Sequence, residues 1–155
     1  MADRTLTASP AISGPNVNVE AIHAGNITIP FSYSAGGVTN SVSDVIFLAK
    51  IPAGAIVFDM NYYLYSGNAT ATTVDIGMDG DVSADYFVDG HSISQTGVTV
   101  AATLRAGSTP YFCSVSDAAA QRFRYLQAKI VSGDPSQTFV VKGFVTYRMG
   151  RSSLT

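Results

Sequence analysis

Residues 50–65 constrain the fold more than any other stretch: Lys50, then Ile51-Pro52-Ala53-Gly54, then the eleven residues Ala55-Ile56-Val57-Phe58-Asp59-Met60-Asn61-Tyr62-Tyr63-Leu64-Tyr65. A proline cannot donate a ladder hydrogen bond, so Pro52 belongs at a strand end or edge, and Gly54 supplies the backbone freedom of a tight turn. Beyond the turn, Ile56, Phe58, Met60, Tyr62 and Leu64 alternate with Val57, Asp59, Asn61, Tyr63 and Tyr65. That is the period of a half-buried strand and not of a helix. The first set is expected to hold a core. The second is expected to face outward, with Val57, Tyr63 and Tyr65 as candidates for a subunit contact.

The same signal recurs along the chain at short intervals. Strands are expected over 27–33, 43–50, 70–78, 98–104, 109–115 and 137–148, with turn-rich segments between them. Pro30 marks the first of these as an edge strand. Within 43–50 both faces are apolar, as in a covered strand. On 70–78, Thr72, Val74, Ile76 and Met78 share one side. The piece 116–130 is mixed: Ser116-Asp117 and three alanines suit a helical turn or loop, after which Phe123, Tyr125 and Gln127 alternate against Leu126, Ala128 and Ile130. Eight or nine strands with at most one helix exclude a parallel α/β sheet and predict an all-β, antiparallel β-sandwich. Loops of uneven length, and the absence of the tryptophan and cysteine pair of immunoglobulin domains, favour the jelly-roll type.

Residues 1–26 carry Pro10 and Pro15 and scattered apolar groups, and are expected to form an extended N-terminal arm ahead of a domain at 27–148 and a polar C-terminal tail at 149–155. The arm has two readings: a frayed terminus, or a segment that crosses onto a neighbouring subunit with Val17, Val19 and Ile22 as anchors.

Composition narrows function. Only 13% of the 155 residues are charged, against about 25% in an average soluble domain, which suits a protein that hides surface in an assembly. A net charge of −2 argues against nucleic acid as a partner. Acids crowd the middle (Asp75, Asp79, Asp81, Asp85, Asp89) and bases the end (Arg122, Arg124, Lys129, Lys142, Arg148, Arg151); this asymmetry fits either solvated faces or subunits paired head to side. No apolar run is long enough for a membrane span, and no signal peptide is visible at the start, so synthesis in the cytoplasm is expected. Cys113, the single cysteine, reads as a small core residue.

Three kinds of chemistry are open to these residue types. Gly90-His91-Ser92-Ile93-Ser94 lacks the second glycine and the following helix of a nucleophile elbow, and His91 with Ser94 and an aspartate is a combination expected by chance. His23 lies in the arm, so no catalytic residue and no cofactor is assigned. Asp79, Asp81 and Asp85 are weak metal candidates: calcium takes about six to eight oxygens, yet no Glu closes this loop at the required spacing. A turn-rich acidic loop explains the run more simply. Tyr62, Tyr63 and Tyr65 could stack on sugar, but with Tyr62 inward the outward pair suits a protein contact better.

The unit Ile51-Pro52-Ala53-Gly54 followed by its long alternating strand, the run Thr73-Val74-Asp75-Ile76-Gly77 leading into Asp79-Gly80-Asp81 and Asp85-Tyr86-Phe87-Val88-Asp89-Gly90, and the closing Gln137-Thr138-Phe139-Val140-Val141-Lys142-Gly143-Phe144-Val145-Thr146-Tyr147 together resemble the jelly-roll cement or decoration proteins of tailed-phage capsids. The resemblance spans about residues 43–148. It implies a structural virion protein, without catalysis or cofactor, that sits as a homotrimer on the outer surface of an icosahedral bacteriophage head and contacts the major capsid protein. The alternative is a head-fibre or tail receptor-binding module that recognises host surface glycan; a cupin-like enzyme lacks the histidines it would need.

Overall fold

The computed structural model describes residues 5–7, 25–67, 71–79, 84–93, 98–102, 111–113, 123–133, 135 and 137–149. They form ten strands: β1 Thr5–Thr7, β2 Ile27–Ser34, β3 Val45–Pro52, β4 Ala55–Tyr65, β5 Thr72–Met78, β6 Val88–Ile93, β7 Val98–Ala102, β8 Tyr111–Phe112, β9 Phe123–Ser132 and β10 Val140–Met149. Two sheets result, with strand orders β1-β3-β9-β5-β6 and β2-β10-β4-β7, and β8 pairs with the same side of the second sheet, on β4. Apart from the short β1, which joins β3 in parallel, every pairing is antiparallel. Setting β1 and β8 aside, the chain steps from one sheet to the other at nearly every connection. The interleaved orders 3-9-5-6 and 2-10-4-7 are those of a jelly roll. The all-β sandwich and its type agree with the expectation from sequence.

The inner faces pack one contiguous core. From the first sheet come Ile46, Leu48, Ala49, Ile51, Val74, Ile76, Met78, Leu126, Ala128 and Ile130; from the second, Ile29, Phe31, Tyr33, Val57, Met60, Tyr62, Leu64, Val141, Val145 and Tyr147. Pro30 does lie in an edge strand, opposite Phe144. Thr72, Val74, Ile76 and Met78 are all buried, as their alternation predicts. Gly143 pairs with Phe31 on one side and Tyr62 on the other, and a Cβ there would run into the Asn61 carbonyl and the Tyr62 backbone. The glycine lets two large inward rings flank a single position.

Two expectations are corrected. In β4 the pairing with β10 slips between Thr146 and Tyr147: Thr146 faces Asp59 and Tyr147 faces Val57, so Phe58 is an extra residue. Such a bulge shifts the alternation by one. Ile56 and Phe58, expected in the core, are only half-buried. Val57, expected outward, is fully enclosed. A second bulge in β3, where Phe47 pairs with Gln127 and Ala49 with Leu126, leaves Leu48 and Ala49 both buried. The slip turns Ala49 inward beside Leu48, while Val45 and Phe47 keep to the outer face, half-buried. The second correction concerns the acidic loop expected over 79–90, whose end belongs to the strand Val88–Ile93. That strand lies on the outer edge of the first sheet. The possible helical turn at 116–122 and the anchors Val17, Val19 and Ile22 lie outside the described residues.

Polar groups inside the sandwich are handled unequally. Asn40, in the β2–β3 connection, is enclosed and exchanges hydrogen bonds with Tyr33: the phenol donates to Oδ1 at 2.9 Å and Nδ2 donates to the phenol at 3.1 Å. The Tyr147 hydroxyl is buried with no hydrogen-bond partner among the described residues, and burial pushes its pKa above the ordinary phenol value.

Two stability measurements check this packing. Met60→Ala is expected to cost about 2–5 kcal/mol in denaturant unfolding, and Phe58→Ala clearly less, because the bulge holds its ring at the surface of the core; equal losses would contradict the slip. Tyr147→Phe removes a buried hydroxyl without a partner, so it is expected to leave stability unchanged or raise it by about 1 kcal/mol.

Candidate contact faces

A sandwich of this kind presents two outer sheet faces, and both carry aromatic residues. On the first sheet, Phe47 and Tyr125 lie parallel, centroids 4.0 Å apart and planes 2° from each other. Phe123 meets Tyr125 edge to face at 5.0 Å, and the Lys50 ammonium sits 4.8 Å above the Phe123 ring. These rings are half-buried because they cover one another. Offset and edge-on aromatic contacts of this sort add about 0.5–1.5 kcal/mol beyond area. The alternation over 123–130 carried the signal, and the sequence reading did not single these rings out.

The outer face of the second sheet is built differently. Inward Val141, Gly143, Val145 and Tyr147 alternate with outward Val140, Lys142, Phe144, Thr146 and Arg148 along the central strand β10. Cross-strand register sets Lys142 beside Tyr63, Phe144 between Pro30 and Asn61, and Val140 beside Tyr65. The Lys142 ammonium lies 4.8 Å above the Tyr63 ring, which holds that cation flat on the face. Phe144 is 39% exposed and belongs to none of the ring pairs among the described residues. A phenylalanine at the centre of an outer sheet face in that state is the sort of exposed apolar group that contact surfaces use. Of the residues proposed from sequence for contact, Tyr63 and Tyr65 are outward and half-buried here, Val57 is in the core, and Phe144 was missed.

The weak metal and catalytic candidates sit elsewhere. Asp79 follows β5 and extends its pairing with β9: its N–H donates to the Tyr125 carbonyl at 2.9 Å and its Oδ1 accepts the Tyr125 N–H at 2.8 Å. Arg124 donates to the Asp79 carbonyl at 2.9 Å. Burial pushes the Asp79 carboxyl above the usual carboxylate range, and the Tyr125 N–H and the Arg124 charge offset this only in part. Asp81 lies outside the described residues, and among the described residues no three His, Cys, Asp or Glu side chains gather as a metal site would require. His91, on β6, meets the Tyr62 ring edge-on at 6.0 Å; Ser94 and His23 are outside the described residues. Cys113 is buried, its sulfur 3.8 Å from the Ile51 carbonyl.

No protein-family model matches the chain, and no curated protein matches it in sequence. Solved structures do resemble it. One is a chain in the capsid of Ralstonia phage GP4, with TM-score 0.59 and 14% identity, the match covering 83% of this chain and 87% of that one. Another is in the capsid asymmetric unit of cyanophage Pam1, with TM-score 0.50 and 16% identity, covering 79% and 82% respectively. At such identities the likeness is one of fold. The match spans more than four-fifths of each neighbour.

The raised Asp79 pKa has a definite sign. A folded state that holds a carboxyl proton more tightly than the unfolded chain is most favoured below the carboxylate range, and loses that advantage as pH rises through it to the raised value. Asp79→Asn keeps the acceptor for Tyr125 and removes the titration. Its melting temperature relative to wild type should therefore increase as pH rises through the carboxylate range; a constant difference would place the burial penalty elsewhere.

Proposed function

We infer that this chain is a structural protein of a tailed-phage virion that binds and stabilises the outside of the icosahedral head, as a cement or decoration protein acting as a homotrimer on the major capsid protein. The observation that carries the reading is the sandwich shared, over about four-fifths of its length, with chains from two phage capsids. The outward aromatic and apolar groups of the second sheet and the low charge content support it, because both suit a chain that spends its working life against other protein. No reaction is assigned to it.

Physically, such a protein acts by linkage. A ligand that binds the assembled lattice and not its separated subunits stabilises the lattice in proportion to how far it saturates those sites. Three joined copies, each with a modest contact, gain further through effective concentration. Residues 1–26 are proposed as an arm that strengthens attachment, ahead of the domain at 27–148, and the mature protein as resident on the virion surface after synthesis in the host cytoplasm.

Sedimentation with empty capsid shells, together with solution mass, tests this. A trimeric mass with co-sedimentation is expected, and deletion of residues 2–26, which takes the three-residue edge strand β1 with it, should leave the rest of the sandwich folded by circular dichroism while releasing it from shells. A monomer that stays in the supernatant and binds host polysaccharide would replace this reading with the receptor-binding one.

A further inference from the structure

The outer face of the second sheet has a polarity that nothing else on that face balances among the described residues. Among the described residues its exposed charged side chains, Lys142 and Arg148, are both cations on β10 and lie to either side of Phe144; the one acid described on that face, Asp59, is half-buried. The chain as a whole carries more acid than base. Acid lies instead along the edge of the first sheet: half-buried Asp85 in the turn before β6 and exposed Asp89 within the strand. Lys142 and Arg148 point away from the first sheet, so these two sets of charge cannot meet within one molecule.

We propose that they meet between molecules: the Phe144 face of one copy receives the acidic β6 edge of the next, with Lys142 and Arg148 opposite Asp85 and Asp89. This rests on the homotrimeric part of the reading above and names the surface that would join the copies. A contact between two different patches is head-to-tail and closes into a ring when its rotation allows, which is what a trimer requires. The division of labour is usual for protein contacts. A desolvated aromatic, Phe144, supplies affinity, and the charges around it supply orientation and exclude the wrong register. The cation–π contact with Tyr63 restrains the Lys142 side chain before association, which lowers the entropy lost on pairing. A twofold, face-to-face pairing through Phe144 is the geometric rival, since Lys142 and Asp59 lie in rows on either side of Phe144 and would then face each other.

Charge reversal separates these arrangements. The mass of the full-length protein is followed by light scattering over a dilution series, with circular dichroism to confirm folding. Lys142→Glu with Arg148→Glu, or Asp85→Lys with Asp89→Lys, should each weaken association about tenfold or more, and the four changes together should restore it. Should a reversed variant fail to fold, the neutral pair Lys142→Gln and Asp89→Asn is used instead, and each is expected to lessen the salt dependence of association. Association insensitive to both reversals overturns the proposal and leaves the trimer reading standing. Rescue of Lys142→Glu by Asp59→Lys overturns it in favour of the twofold pairing. A wild-type monomer overturns the proposal and the trimer reading together, whatever the shells do.

Discussion

The pairing of β10 with β4, bent once at Phe58, is the constraint on which the other features depend. Ten residues of β10 find partners along β4, so this ladder decides which side chains turn inward over the whole second sheet. Above the slip Met60, Tyr62 and Leu64 face the core; below it Val57 and Ala55 do. Without the extra residue the inward set would run out to solvent at one end. Gly143 belongs to the same constraint, because the ladder leaves no room for a side chain where it passes between Phe31 and Tyr62.

This arrangement fixes the outer face as a consequence. Once Val141, Val145 and Tyr147 are committed to the core, alternation puts Lys142, Phe144 and Arg148 on the other side whether or not water suits them. The first sheet meets a similar demand by letting Phe47, Tyr125 and Phe123 cover one another. Among the described residues the second sheet offers no such internal solution for Phe144. The difference between a self-covered aromatic face and an uncovered one is the physical reason to look for contact on the second sheet.

Much of this was legible in the residues. Alternation located most of the strands, Pro30 identified an edge, and the want of helices excluded parallel architectures. Bulges were not legible, because a single extra residue changes which face is inward without changing composition; Phe58 and Val57 exchanged roles for that reason alone. Strand β6 was hidden by Asp89, Gly90 and Ser92, which read as turn chemistry, and only its pairing with β5 reveals it. Asn40 gave no signal as a buried residue, since its enclosure depends on a tyrosine seven positions earlier that the β2–β3 connection brings beneath it. Phe144 sat in plain view in the alternation, but a residue's fractional exposure is set by its neighbours across strands, which sequence order does not display.

The enclosed position of Cys113 has a practical corollary. It is the chain's one thiol, sealed against the turn between β3 and β4, where its backbone N–H bonds to Ala55 and its carbonyl accepts from Gly54. A reagent in solution can reach that sulfur only when this corner of the sandwich opens. The molecule thus carries an intrinsic clock: the rate at which a thiol dye reacts reads out opening of the corner, and comparing the free protein with the protein on a shell would show whether attachment slows it.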